Sequence, residues 1–310
     1  MRKWLRRLLP WLISAAVVAA VLQKYRLADI LREMREGNTL AMAPIALASP
    51  LVYLFILVYC DREVFRGCLP DPPRYFEIFR GKAAASVLLV VGYFVGSGGY
   101  GVWLARRTRA GAALATGMIL YIMTSDLVAV CLIGAAAIGF GGAPAPRWLL
   151  WGTLGIAALQ LGFIGIGPLE LLGPTPPLFR PWRDVRRLRG LAQILGRCLN
   201  IFVAVASTWA AARAFGLAIP FGAMASFMPI ILLVLSLPVN VAGLGAVQGA
   251  WLLFLPWASG PKILAFSTLY YALVGVATVA RGLPFVRRAV SDIDAGGPSV
   301  VESKVIQGGA

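Results

Sequence analysis

Long apolar stretches alternate with short charged segments along most of the chain. Five stretches contain no Lys, Arg, Asp or Glu apart from Asp126 in the third: residues 38–60, 83–105, 110–146, 148–169 and 214–261. A helix needs about 20 residues to cross the hydrocarbon core of a bilayer. The pattern therefore predicts an all-α integral membrane protein, built as a polytopic helix bundle.

Two of these stretches are interrupted by glycine, proline and polar residues. The first contains GYFVGSGGYGVWLA and the second LPVNVAGLGAVQGAW. Each glycine weakens a helix by about 1 kcal/mol relative to alanine, and irregular backbone at membrane depth is tolerated only when it is buried in protein or lines a wet cavity. We predict two re-entrant, Gly/Pro-broken segments. A matched pair of this kind in opposite orientations indicates inverted repeats around a transport site.

Basic residues predict the orientation in the membrane. The formal net charge is +16, and arginine or lysine clusters lie at the N-terminus, in residues 180–189 and at residues 287–288. Cytoplasmic loops carry the excess of Lys and Arg, so we predict a multi-pass protein of the cytoplasmic (inner) membrane with both termini in the cytoplasm. This holds only if the basic groups at 62–82 and 106–109 share one side, which requires the segment between them to enter the membrane and return.

The composition excludes several classes of catalytic and metal site. The chain is 59% hydrophobic and has no histidine, which excludes Ser-His-Asp catalysis, His-ligated zinc and histidine proton relays. The four cysteines show no CxxC spacing. The basic clusters sit between apolar stretches without a nucleic-acid motif. We therefore expect no nucleic-acid partner, no metal and no other cofactor.

The domain organisation follows from the same pattern. We predict one transmembrane domain over residues 1–288, with its first helix retained as an anchor, and a polar, disordered cytoplasmic tail over residues 289–310. Within it, Leu27, Ile30, Leu31 and Met34 share one face of a helix. That amphipathic helix is expected to lie in the interface plane.

The second broken segment resembles a known family. In LSLPVNVAGLGAVQGAW, followed by GPKILAFSTLYYAL and Arg281, Pro238, Gly243, Leu244 and Gly245 match the C-terminal signature of the flippase-like family named after the membrane region of lysylphosphatidylglycerol synthases. LADILREM after the first span, Arg62 and the glycine-broken run ending at Arg106 are also similar to that family.

The resemblance implies a bacterial or archaeal membrane protein that moves lipid-linked or aminoacylated head groups across the bilayer. It also has departures. Gln248 stands at the acidic position of the second motif, Val102 stands where the first motif has an acid, and Thr124-Ser125-Asp126 keeps the acid of a third element but loses its base. No segment after Pro284 is large enough for the soluble synthase domain of the family.

Several candidate substrate-binding groups emerge. Glycine backbone in the first break could approach an anionic head group, arginines could hold a phosphate, and an acid inside a span usually faces a cavity or a partner. The candidates are Gly96, Ser97, Gly98, Gly99, Gly101, Arg106, Asp126, Arg197, Pro238, Asn240, Gly243, Gly245 and Gln248. Each also has a structural interpretation: close helix packing for the glycines, topology for the arginines, and a hydrogen-bonded carboxyl for Asp126.

We interpret the chain as a flippase-like protein that translocates a polar-headed or lipid-linked substrate, with anionic or lipid-linked head groups as its partners. Two alternatives stay open. One is a membrane-embedded transferase for a lipid-linked substrate, which would need a paired acid and base. The other is a scaffold for an envelope-lipid biosynthetic enzyme. The sequence also leaves open a homo-oligomer.

Overall fold

The computed structural model describes residues 19–90, 92–141, 147–166, 176–236, 240–241 and 244–295. Residues 19–24 are helical. The α-helices that follow are α1 (Leu27–Glu36), α2 (Thr39–Cys68), α3 (Tyr75–Ser86), α4 (Tyr93–Thr108), α5 (Ala112–Gly139), α6 (Arg147–Ile166), α7 (Arg180–Asp184), α8 (Arg187–Phe215), α9 (Phe221–Ser236), α10 (Ala246–Trp251) and α11 (Gly260–Ala295). Short 3₁₀ turns cover Val87–Val90, Pro177–Phe179 and Leu252–Phe254.

Four of the described helices, α2, α5, α8 and α11, are long and apolar enough to cross a membrane. They pack around one another, with α2 against α8, α5 against α8, and α11 against α2. The predicted polytopic helix bundle is confirmed. A two-residue antiparallel pairing of β1 (Asn240–Val241) with β2 (Leu244–Gly245) is the β-structure in the described ranges.

The first broken segment is a helical hairpin formed by α3, the Val87–Val90 turn and α4. Its two outer ends lie side by side, because Arg107 at the end of α4 forms an ion pair with Glu77 at the start of α3. Burial would raise the pKa of Glu77, but the Arg74 backbone N–H and the Arg107 guanidinium bring it below its ordinary value. The basic groups on either side of this segment therefore meet at one end of the bundle, as the orientation of the chain required.

The position of the first interruption differs from the prediction. Gly96, Gly98, Gly99 and Gly101 are helical residues of α4, and the α-helix is interrupted earlier, at the Val87–Val90 turn and at Gly92. Packing explains the difference. A Cβ at Gly96 would lie 2.7 Å from Leu89 Cγ, and one at Gly99 would lie 2.6 Å from Leu88 Cδ1. These glycines give the turn room to fold back on α4, which offsets their low helix propensity.

The second broken segment is also a hairpin. Its first arm is α9, its interruption is formed by β1 and β2, and its second arm is α10 with the Leu252–Phe254 turn. Phe227 near the start of α9 contacts Phe254, with ring centroids 5.9 Å apart. The predicted interruption near residues 238–245 is therefore present. Pro238 and Gly243 themselves lie outside the described residues.

The two hairpins open at opposite ends of α8. At its first turn, Arg189 donates a hydrogen bond of 2.7 Å to the carbonyl of Arg66, near the point where α2 ends and the chain enters the first hairpin. At its last turn, Gly216 lies against Lys262, where the second hairpin leads into α11. This opposed arrangement is what the inverted-repeat interpretation requires of the fold.

The C-terminal helix is longer than predicted. α11 continues through Pro284 to Ala295, so residues 289–295 belong to a helix and not to a disordered tail. Tertiary packing accounts for the extension: Ala289 is buried, and Trp103 Nε1 donates a hydrogen bond of 3.5 Å to Asp292 Oδ2. Residues 296–310 lie outside the described residues, as do residues 1–18 of the proposed anchor helix, which ends in the described helical residues 19–24.

Opposite access to the two hairpins is a direct prediction of this arrangement. In a variant without the native cysteines, single cysteines replacing Ser97 and Asn240 are expected to react with a membrane-impermeant maleimide from the cytoplasm and from the outside, respectively. The measurement is labelling in right-side-out and inverted vesicles. Labelling of both positions from the same side would contradict opposed re-entrant hairpins, and protection of both would indicate dry helix contacts.

Candidate functional site

An ion network occupies the interior of the bundle, centred on Arg197 of α8. Arg197 Nη2 donates to Asp61 Oδ1 of α2 at 2.6 Å, and Nη1 donates to Asp126 Oδ1 of α5. The side chains of Arg197 and Asp61 are both 0% exposed. One guanidinium thus bridges carboxylates from two other spanning helices. Such charge-assisted bonds are among the strong hydrogen bonds of proteins.

Lys82 of α3 completes the network. Its Nζ lies 2.5 Å from Asp61 Oδ2 and 5.3 Å from the centroid of the Tyr100 ring of α4. Each oxygen of Asp61 therefore faces a different cation. With all four groups ionised, the two acids and two bases sum to zero charge, which is how charges are generally accommodated inside a membrane.

Asp126 differs from its partners in accessibility. Its side chain is 27% exposed, compared with 0% for Arg197 and Asp61 and 18% for Lys82. Among the described residues, its second oxygen, Oδ2, accepts one long hydrogen bond of 3.4 Å, from Tyr93 at the start of α4. Asp126 is the most open member of the network and the one that connects it to the first hairpin.

The network lies deep in its helices. At a rise of 1.5 Å per residue, Arg197 is about 15 Å along α8 from Arg187, and Asp126 is about 21 Å along α5 from Ala112. The backbones approach closely here because Gly196 faces Cys60, where an added Cβ would lie 2.6 Å from the sulfur. A small residue at a helix contact is the usual means of close approach in membranes.

Two apolar clusters meet along α5 on either side of Asp126. Tyr121 and Ile122 belong to one, which is built around Phe65 and Trp103, and Ala129 and Val130 belong to the other. The polar network is therefore enclosed by apolar side chains in both directions along α5. Low local polarity strengthens the ion pairs and raises the free-energy cost of leaving any one charge unpaired.

Two polar side chains lie on the same face of α8 as Arg197. Gln193 is one turn before it and Asn200 one turn after it. Gln193 is fully buried, and neither its Oε1 nor its Nε2 has a hydrogen-bond partner among the described residues. The same is true of Asn200 Oδ1 and of Arg197 Nε. Since buried polar groups are normally satisfied, each of these atoms calls for an explanation.

Arg281 of α11 is a further cation of the bundle and is partly buried. Its Nε and Nη1 are inaccessible and have no hydrogen-bond partner in the described part of the chain. The next residue, Gly282, lies against the Ala83 carbonyl of α3, and Ser86 Oγ is 3.5 Å from the Thr278 carbonyl. Arg281 therefore belongs to the part of α11 that packs on the first hairpin. Two of its three guanidinium nitrogens are therefore shielded from solvent.

The candidate residues fall into three groups. Asp126 and Arg197 are in direct contact. The second group, Gly96, Ser97, Gly98, Gly99 and Gly101, lies on α4, and Arg106 is half-buried near the end of that helix. The third group belongs to the second hairpin: Asn240 and Gly245 pair between β1 and β2, and Gln248 is buried in α10. Pro238 and Gly243 lie outside the described residues, as does Glu170. Arg197 was proposed as a phosphate ligand; in this structure two carboxylates hold it.

The sequence interpretation missed Asp61, Lys82 and Gln193. It treated Asp126 as the only acid deep in a span, because Asp61 directly precedes charged residues. A helical periodicity places Asp61 on the stripe of Leu54, Val58 and Phe65, which are all buried. That spacing would have identified it. For Lys82 the sequence carried no such indication, since it follows a mixed-charge segment.

The described ranges contain no group of three His, Cys, Asp or Glu side chains that could hold a metal ion. Comparison with models of protein families finds none that matches the chain, and comparison with curated proteins finds no match. Fold and site together define a polytopic helical membrane protein with a charged interior. The resemblance to the flippase-like family remains a prediction.

Proposed function

We propose that this protein translocates a lipid with an anionic, polar head group across the cytoplasmic membrane. The observation that supports this most directly is Arg281, a guanidinium inside the bundle with two buried nitrogens that lack a partner among the described residues. A phosphate would supply the missing acceptor oxygens, and arginine suits phosphate through its planar set of donors.

The free-energy cost of an unpaired cation favours a ligand. Taking part of a guanidinium out of water without giving it a hydrogen-bond partner costs free energy. Arg197, by contrast, has two carboxylates in contact that neutralise its charge in this structure. The difference between the two arginines supports a role for Arg281 in binding.

The surroundings of Arg281 support a path for the head group. α11 packs on α3, on the Val87–Val90 turn and on α4, and Tyr93 at the start of α4 reaches Asp126. The tip of the first hairpin therefore has the Arg281 helix on one side and the accessible carboxylate of the network on the other. Since an ionised carboxylate facing hydrocarbon is costly, we expect the open part of Asp126 to face a polar cavity.

Replacing Arg281 by Met separates a binding role from a structural one. Removing an unpaired buried charge is expected to leave stability unchanged or raise it. Loss of a hydrogen bond to a charged group should lower lipid translocation by roughly 10- to 100-fold. The measurement is albumin back-extraction of fluorescent phosphatidylglycerol from proteoliposomes, beside thermal unfolding of the same samples.

Arg288→Met is the matched control, because Arg288 is an exposed arginine of the same helix. It should leave both translocation and stability close to wild type. Equal translocation by the Arg281 variant and wild type would argue against the head-group site. A wild-type protein that moves no lipid would favour the scaffold alternative, and chemically altered lipid in chromatography would favour the transferase.

A further inference from the structure

The four-charge network has one exchangeable member. Asp61 contacts two cations and is fully buried, so an incoming ion cannot reach it without breaking two ion pairs. Asp126 contacts one cation, is partly accessible, and stands between Arg197 and the open part of the site. An anion that approaches Arg197 must therefore take the place of Asp126.

Donors for such an anion are already in place. If Asp126 rotates away, Arg197 Nη1 becomes available, and Arg197 Nε has no partner among the described residues. Gln193 is one helical turn away, on the same face. Its buried amide Nε2 also lacks a partner in the described ranges. Arg197 Nη1 and Gln193 Nε2 each carry two N–H groups, so these two nitrogens can supply several donors to one oxyanion, as phosphate binding needs.

Charge balance fixes what must accompany the anion. With four ionised groups the network is neutral. An anion alone would leave one negative charge in excess, because the displaced Asp126 carboxylate would have lost its cation. A proton taken from water onto the freed Asp126 Oδ1 restores neutrality: Asp61, Lys82 and Arg197 stay charged, Asp126 is neutral, and the anion supplies the second negative charge.

Other ionisable groups around Asp126 do not offer this compensation. Asp126 contacts the hydroxyl of Tyr93 on α4 and the guanidinium of Arg197 on α8. Asp61 of α2 and Lys82 of α3 lie beyond Arg197 in the network. The described residues of α9 carry no charge. The charged residues of α7 are also separate from Asp126: Arg183 pairs with Asp184, and Arg180 is exposed. This helix packs on α5 at Tyr121, more than one helical turn before Asp126.

We propose that a phosphate-bearing head group binds Arg197 and Gln193 only together with one proton on Asp126, so that lipid anion and proton move as an electroneutral pair. This rests on the proposed function and adds the coupling ion. Because proton and anion favour each other's binding reciprocally, anion affinity is highest at low pH. It falls about tenfold per pH unit wherever one proton is taken up per anion bound.

The test uses the full chain in phosphatidylcholine nanodiscs. Dihexanoylphosphatidylglycerol is added at several pH values, and both binding and proton uptake are recorded in weakly buffered solution. We expect about one proton taken up per lipid bound. Diethyl phosphate, which carries the same single charge without acyl chains, distinguishes a site for any phosphodiester from a site for a lipid. Either ligand with linked proton uptake supports the inference, and the lipid alone assigns it to a membrane source.

Two variants sharpen the result. Asp126→Asn is permanently neutral and should bind the lipid with the same affinity at every pH, without proton uptake. Gln193→Leu should keep the proton linkage but lower affinity by roughly 10- to 100-fold, while the fold is retained because an unsatisfied buried amide has been removed. Asp29→Asn, at an exposed acid of α1, is the control and should behave as wild type.

Outcomes for the two proposals differ. If wild type moves lipid in vesicles but binds it without proton uptake, or if uptake persists in Asp126→Asn, the proton coupling is overturned and translocation stands. If wild type neither binds nor moves phosphatidylglycerol, both are overturned. Lipid accumulation driven by a pH gradient, lost in Asp126→Asn and retained in Asp29→Asn, would support both.

Discussion

Replacing Arg197 by Met is expected to lower the free energy of unfolding by about 3–5 kcal/mol, the range observed when one partner of a buried ion pair is removed. The change leaves two carboxylates, Asp61 and Asp126, without the cation that they share. Asp61 keeps Lys82, but Asp126 keeps only the hydroxyl of Tyr93. Unfolding in detergent, followed by denaturant or temperature, measures the loss.

An arginine of the same helix provides the control. Arg187 is exposed at the first turn of α8, so Arg187→Met should change stability by no more than about 0.5 kcal/mol. Adding Asp126→Asn to Arg197→Met should restore part of the loss, because Asp61 keeps Lys82 and no uncompensated carboxylate then remains. Equal stability of the two Met variants would show that the network does not hold the three helices together.

Gly282→Ala is expected to destabilise the packing of α11 on the first hairpin by about 1–3 kcal/mol, the range for overpacking a tight contact. A Cβ at this position would overlap the Ala83 carbonyl oxygen and lie 2.6 Å from Val87 Cγ2. The first of these is backbone and cannot move without shifting α3. Because Arg281 is the preceding residue, lipid translocation should fall together with the melting temperature.

Gly275 of the same helix has open space around it, since a Cβ added there would meet no described atom within 4 Å. Gly275→Ala should therefore be neutral, or should stabilise by up to about 1 kcal/mol through helix propensity. Comparing the two glycines isolates the steric effect from propensity. Equal melting temperatures for both variants would contradict the close contact between α11 and α3.

The architecture was largely predictable because the bilayer constrains both the length of uncharged stretches and the placement of basic residues. Uncharged stretches of sufficient length predicted the spanning helices α2 and α5, and the distribution of basic residues required the first broken segment to return to its starting side. The ion pair between Glu77 and Arg107 shows that its ends do meet. The location of the turn was not predictable from glycine content, since Gly96 and Gly99 serve packing against Leu89 and Leu88 rather than interrupting the helix.

The site was less predictable because its members come from four separate helices. Asp126 and Arg197 were singled out individually, each as a charge within or beside an apolar stretch, but nothing in the sequence indicated that they bind each other. Their contact joins residues that are 71 positions apart. Partners at such separation are set by helix packing, which local periodicity does not encode.

The spacing of the network along the chain also bears on how the protein is made. Asp61 is 136 residues ahead of Arg197 but only 21 residues ahead of Lys82. At a synthesis rate of about 5–20 residues per second, Arg197 is synthesised roughly 7–27 s after Asp61, and Lys82 roughly 1–4 s after it. Lys82 is thus the first cation that can neutralise Asp61 while α8 has yet to leave the ribosome. The Asp61 carboxylate is therefore without a counter-charge for only a short time during synthesis.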